Sequence, residues 1–293
     1  MSSKTQLAPG QGFLFLEPCV KRIKYKGIHQ LWSMWKWDSE EEQIRENEWV
    51  LFTGVDKNTL THFFRNAFDP VIGHSWFAYD KSQELLLVRG AVSRAHEYAN
   101  LTFNVLLMRA LNAVGLRSGL SSCCRTCHGE EGSIRADRGW RPWTLPPGRG
   151  QEWPTGVLEI SHSGTPWKLM FDVHFWLRQA DGAVKFVLTM QIDRHSPEIT
   201  LEKWARRSCP CGLDGPPCRE QIITVFKRDE RIIVRGGPLV IEFERLFLRS
   251  PRTQTERDIR LNDEDLTELA TDIWREQGFH SDPDDEEWEE MDD

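Results

Sequence analysis

The sequence has no apolar run long enough to cross a membrane. Its early apolar cluster, FLFL at 13–16, is short and stops at Glu17, so no secretory signal is visible. There is no internal repeat. The seven cysteines lack a standard zinc-finger spacing: Cys123, Cys124, Cys127 and His128 contain one C-x-x-C step, and Cys209, Cys211 and Cys218 follow as C-x-C-x₆-C. A Zn²⁺ site at Cys123, Cys127, Cys209 and Cys211 is therefore disfavoured against ordinary reduced thiols. These absences lead to the expectation of an intracellular chain, nuclear or cytoplasmic, without a signal peptide or transmembrane segment.

What is present is an ordinary globular composition, 39% hydrophobic and 28% charged, over 293 residues. The thirteen tryptophans read mainly as core anchors, because an indole buries a large apolar area and leaves only one donor to satisfy. Trp32, Trp35 and Trp37 could also stack on bases, but core packing or a partner surface is the better reading. The net charge of −8 is concentrated in the tail SDPDDEEWEEMDD, which holds nine carboxylates and no base. Without it the body is nearly neutral, a balance that neither requires nor excludes a nucleic-acid partner. Basic segments such as VKRIKYKG (20–27) and WARR (204–207) form a patch only if folding gathers them. The tail reads as a disordered solubilising segment, or alternatively as a DNA-like strand that occupies a basic groove.

Residues 1–12 read as a flexible start, 13–278 as a single α/β domain (core about 75–193, C-terminal extension 194–278), and 279–293 as the acidic tail. HSWFAYDKSQELLLVRG is a hairpin turning at Asp80, Lys81 and Ser82. The period then changes from two to about 3.6 residues in SRAHEYANLTFNVLLMRALNAVG, a helix with Ser93 as N-cap and Gly115 as stop. Counting along it from Glu97 reaches Leu101, Val105 and Met108, so Glu97 continues an apolar stripe and is expected at the core or a cleft; favourable placement at the helix N-terminal dipole is the alternative. GVLEISHS reads as a buried strand, a helix is expected from about Pro166 to Gln179, and AVKFVLTMQI follows as a strand. EITLEKW, EQIITVF, RIIVRG and PLVIEF suggest further strands. NDEDLTELATDIWREQG is an amphipathic helix capped by Asn262 and stopped at Gly278.

Glu159 is the anomaly, a carboxylate within an apolar strand. Asp137 closes the short segment SIRAD and Glu97 lies on the helix. Carboxylates gathered in one cleft either raise a pKa or bind a cation, and an oxygen-only donor set suits Mg²⁺ or Mn²⁺. His162 and His174, near Glu159 in the sequence, read as structural or exposed imidazoles. A thiol and an imidazole in one loop do not define a cysteine-protease site.

Through LLLVRGAVSRAHE, ADRGWRPWTLPPGR, WPTGVLEISHS, WKLMFDVHFWL, AVKFVLTMQI, PLVIEFERLFLR and ERDIRLNDEDL, roughly residues 75–275, the sequence resembles a group of fungal proteins. Those proteins are similar to the PD-(D/E)XK restriction-endonuclease-like superfamily and to the Uma2-like nucleases. The resemblance implies a mixed central β-sheet flanked by helices, with extra C-terminal strands and a helix. It further implies a nuclease site in which an acid from the first helix, an Asp from one strand and D/E-x-K from the next bind Mg²⁺ for phosphodiester hydrolysis. By position these become Glu97, Asp137 and Glu159, with Glu97, Asp137 and Glu159 as metal ligands. The pattern is broken in two places: Ser161 stands where the Lys belongs, and Ala136 replaces the Pro before Asp137. Ser cannot supply the positive charge that stabilises the phosphate. Lys185 on the following strand and Lys168 in the following helix are the candidate replacements, against a solvated strand position for Lys185 and a surface i, i+4 pair with Asp172 for Lys168. A catalytically inactive module of the same fold, binding nucleic acid or protein, is the competing reading.

Overall fold

The computed structural model describes residues 20–35, 49–59, 77–89, 92–116, 119–123, 126–130, 132–162, 166–207, 215–229 and 231–279. The side chains of Trp32 and Trp35, residue Trp37, and the tail 281–293 lie outside what is described, as do Cys209, Cys211 and the side chain of Cys123. The chain groups into two compact units, one built from residues up to Val92 together with Thr126–Arg135, the other from Ser93–Arg125 and Ala136 onward.

The first unit contains β1 (Lys21–Lys24), α1 (Ile28–Trp35), β2 (Trp49–Thr53), β3 (Phe77–Asp80), β4 (Leu85–Arg89), and, after an excursion of the chain, β6 (Thr126–His128) and β7 (Gly132–Arg135). Its sheet runs β1-β2-β4-β3-β7-β6. The β3–β4 hairpin falls where the alternating pattern and the turn residues place it, and Asp80 closes the turn by accepting from the Ser82 and Gln83 amides. Val50, Phe52, Phe77, Tyr79, Leu86 and Val88 form the buried face.

The second unit opens with α2 (Arg94–Ala113), capped by the Ser93 hydroxyl accepting the His96 amide at 3.3 Å. Gly115 follows in the left-handed region at φ +79°, where a Cβ is strained, which is why the helix stops there. Next come β5 (Leu120–Cys123), β8 (Arg138–Pro142), β9 (Gly156–His162), α3 (Pro166–Gln179), β10 (Phe186–Ile192), β11 (Glu198–Arg206), β12 (Pro217–Arg228), β13 (Arg231–Arg235), β14 (Leu239–Ile241), α4 (Phe243–Phe247), β15 (Ile259–Leu261) and α5 (Asp263–Glu276). Seven strands pair in the order β13-β12-β11-β10-β9-β8-β5. Only β9 and β10 are parallel neighbours in this sheet, and α3 is the crossover such a pair requires. Gly156 is needed at the start of β9 because a Cβ there would collide with the Phe186 ring on β10.

Alternation divides the strands cleanly. Leu158 and Ile160 on β9 and Leu188 and Met190 on β10 join Phe103, Leu106, Leu107 and Leu111 of α2 and Leu266, Leu269, Ile273 and Trp274 of α5 in one core. Glu159 and Ser161 point to the opposite face, which α3 covers. The second unit is therefore a mixed sheet with helices on both faces, the α/β arrangement expected from the sequence. The α5 terminus also forms as read: Asn262 and Asp265 make a reciprocal capping box.

One helical face is the reverse of the expectation. The stripe continuing from Glu97 is largely the solvent side, with Leu101 56% and Val105 51% exposed and only Met108 at its far end packed against the core, while Ala95, Ala99, Phe103, Leu106, Leu107 and Leu111 are buried. Both stripes are apolar, but the second carries the larger set of side chains, and burying more apolar area decides which side meets the sheet.

Candidate functional site

The β8–β9 register is antiparallel, with Trp140 opposite Gly156 and Arg138 opposite Leu158. Continued by one residue, it sets Asp137 opposite Glu159 at the mouth of the strand pair. Two residues 22 positions apart in sequence thus become lateral neighbours. Asp137 is held tightly there. Its Oδ2 accepts the Ile160 amide at 2.7 Å and lies 3.2 Å from His96 Nε2, and its carbonyl accepts from Asn100 Nδ2 at 3.0 Å. His96 and Asn100 lie one helical turn apart on α2, so the first turns of that helix grip Asp137 at both its side chain and its backbone.

Glu159 is 1% exposed. Its Oε1 accepts the indole N–H of Trp176 at 2.6 Å. Lys168, Asp172 and Trp176 follow one another at i, i+4 and i+8 on α3, a single stripe turned toward the sheet. Lys168 and Asp172 form an ion pair with both side chains almost wholly buried, 3% and 2% exposed. The pair expected on the surface is therefore an interior one.

Burial sets the electrostatics of this cluster. It pushes the Glu159 carboxyl well above the usual carboxylate range, and the Asp172 and Asp137 charges push it the same way; the Lys168 ammonium and the Trp176 hydrogen bond oppose them. Lys168 is driven below the usual lysine range by the same burial, against the pull of Asp172, Glu159 and Asp137. Three carboxyl groups thus surround one ammonium in a low-dielectric interior, an arrangement poised to take up a proton or further positive charge. Such perturbed groups concentrate at functional sites, although buried structural networks show them as well.

Of the residues singled out from sequence, Asp137, Glu159 and Lys168 come together. Glu97 does not: it is exposed on α2, and its neighbour His96 reaches Asp137 instead. Lys185 does not either. It is exposed, just ahead of β10, with its amide bonded to the Thr155 carbonyl. The β9–β10 register makes Thr189 the neighbour of Glu159, and four residues of strand, about 13 Å, separate Lys185 from that level. Ser161 is buried on the Glu159 face, as alternation requires. His162 lies between the Ser93 hydroxyl and Gln277, 2.8 Å and 3.1 Å away, with its pKa lowered to about 4, first by burial and then by Arg194 and His96. Burial likewise lowers the pKa of His174.

His96, Asp172 and Trp176 complete the cluster. Asp172 and Trp176 were legible as the i, i+4, i+8 continuation of Lys168. His96 was legible only after choosing the Ala99–Phe103–Leu107 face of α2 as the buried one.

Oxygen-only donors on facing strands suit a hard divalent cation, and Mg²⁺ is commonly held by one or two carboxylates completed by water and substrate phosphate. Asp137 and Glu159 are the two carboxylates that the strand mouth offers. The three-acid set expected from sequence does not assemble, and no group of three or more His, Cys, Asp or Glu side chains among the described residues could hold a metal. Cys127 is buried in the first unit and Cys218 half-buried in the second.

No protein-family model matches the sequence, and no curated protein matches it. Among solved structures it is similar to a candidate nuclease of the DUF820 group from Anabaena variabilis, at 12% identity over 66% of this chain and 90% of that one, with a TM-score of 0.36.

Proposed function

We propose that the chain is a divalent-metal-dependent nuclease that hydrolyses phosphodiester bonds in DNA or RNA. The observation that carries the proposal is the meeting of Asp137 and Glu159 at one strand mouth with the buried Lys168 from the following helix. In this reading Asp137 and Glu159 bind Mg²⁺ or Mn²⁺, which when bound polarises the phosphate and acidifies a water molecule. Lys168 supplies the positive charge that Ser161 cannot, and the ion pair with Asp172 positions it. Trp176 orients the Glu159 carboxylate through its indole N–H, and the Ile160 amide and His96 orient Asp137. Glu97 and Lys185 take no part, because neither reaches the cluster.

The test is cleavage of plasmid, linear duplex, single-stranded DNA and RNA in Mg²⁺ and in Mn²⁺. Cleavage should vanish in Asp137→Ala and Glu159→Ala, assayed at a temperature where circular dichroism shows each variant folded, and should drop by about two orders of magnitude or more in Lys168→Met. Failure to cut any of the four substrates overturns the proposal, and persistent cutting by both acid variants assigns the activity to something else.

A second reading, a non-catalytic binding module of the same fold, is favoured by Ser161 in the lysine position and by the lack of a three-ligand group among the described residues. Calorimetric titration separates the two readings. Mn²⁺ binding lost in Asp137→Ala supports the nuclease, and no Mn²⁺ binding supports the module.

A further inference from the structure

The first unit carries a charged row that the cluster in the second unit does not use. Strand β1 ends the six-stranded sheet, and among the described residues it pairs with β2 alone. Ile23 and Tyr25 turn inward to the core around Phe52, with the Tyr25 and Phe52 rings 6.4 Å apart. Arg22, Lys24 and Lys26 alternate with them and are all exposed, as is Lys21. The Tyr25 amide bonds the Thr53 carbonyl at 2.9 Å, so the extended path continues past the last ladder residue toward Lys26. No Asp or Glu occurs from residue 20 to residue 35. Asp56, whose charge reaches Tyr25, has its carboxylate engaged by its own turn, accepting from the Asn58 and Thr59 amides and the Thr59 hydroxyl.

Alternate residues of a strand recur about every 6.6 Å, so Arg22 and Lys24 stand at that spacing on β1, and Lys26, two residues past its end, extends the same exposed set. That repeat matches the spacing of successive phosphates along an extended nucleic-acid strand. The apolar residues between the cations point inward, so the row lacks the exposed anchors that membrane-surface segments insert among lipids. From this geometry we infer that β1 and the residues just after it are a phosphate-tracking surface for nucleic acid, with Arg22, Lys24 and Lys26 each neutralising one phosphate. The inference rests on the nucleic-acid part of the proposed function but not on cleavage.

The test uses the full chain in EDTA, which prevents metal-dependent cutting, and follows the fluorescence anisotropy of labelled oligo(dT) as salt is raised. In the triple variant Arg22→Gln, Lys24→Gln, Lys26→Gln the plot of log affinity against log salt should flatten by about 2, three phosphate contacts at about 0.7 each, with binding at least about tenfold weaker at low salt. The charge-conserving variant Arg22→Lys, Lys24→Arg, Lys26→Arg should keep the wild-type slope, which separates lost charge from lost folding. An unchanged slope in the Gln variant overturns the inference and leaves the cations as guards of an exposed sheet edge. So does absence of oligonucleotide binding by the wild type, or a loss confined to vesicles containing phosphatidylserine. Because binding in EDTA is read without any cleavage, failure of the nuclease reading and failure of this surface are told apart.

Discussion

Replacing Lys168 by Met tests whether the α3 ion pair is the interior feature that the geometry describes. A solvated i, i+4 pair contributes only about 0.3–0.5 kcal/mol. Lys168 and Asp172 are instead 3% and 2% exposed, and the Lys168 ammonium also feels Glu159 and Asp137. Removing it leaves Asp172 buried without its ammonium beside two further carboxyl groups, a loss of about 3–5 kcal/mol. At about 2–4 °C per kcal/mol for a unit of this size, the melting temperature should fall by roughly 6–20 °C. Urea denaturation of the metal-free protein at pH 7 measures the loss directly. The deficit should shrink as the pH is lowered, because the folded variant takes up a proton on Glu159, whose pKa burial raises, more readily than the unfolded chain does, and stability then rises with falling pH. The double variant Lys168→Met, Asp172→Leu removes both charges and should recover most of the loss. A Lys168→Met deficit below about 1 kcal/mol, independent of pH, would refute the reasoning and return the pair to the surface.

Trp176→Phe keeps the ring but removes the donor to Glu159, so the protein should lose about 1–3 kcal/mol in urea titrations at pH 7; no loss would mean the indole bond is not made. On α2, Phe103→Ala should cost about 3–5 kcal/mol and Leu101→Ala less than about 0.5, and the reverse order would place the opposite helix face against the sheet. Glu97→Gln should leave any cleavage rate within about twofold of wild type, whereas a loss of tenfold or more would return the helix acid to the site. His162, whose folded pKa is lowered from 6.5 to about 4, takes up a proton more readily when unfolded, so stability present above pH 6.5 should be lost as the pH falls toward 4. The full shift corresponds to about 3 kcal/mol, but the ring is only half-buried and solvent screening reduces this to about 1–2 kcal/mol. His162→Gln should flatten that part of the pH profile, and an unchanged profile would exclude His162 as its source.

What the sequence determined by itself is local. Ser93 and Asn262 cap their helices because their side chains reach an amide two or three residues on, and Gly115 ends α2 because it tolerates a positive φ that other residues resist. The β3–β4 hairpin follows from alternation and the Asp80 turn, and the limits of α3 coincide with those read from its pattern. The anomaly of a carboxylate inside β9 was equally visible, since seven residues with an apolar majority leave a charge little choice but burial. Tertiary structure decided the rest. Helix α2 offers two apolar faces of similar local appearance, and only the sheet beneath selects the one carrying Ala99, Phe103 and Leu107, which turns His96 rather than Glu97 toward Asp137. The antiparallel register of β8 with β9 sets residue 137 beside residue 159, and the crossover of α3 brings Lys168 inside while leaving Lys185 in solvent. Both outcomes depend on strand pairing between segments distant in sequence, where the deciding energy is the total area buried across the sheet rather than any preference of the residues themselves.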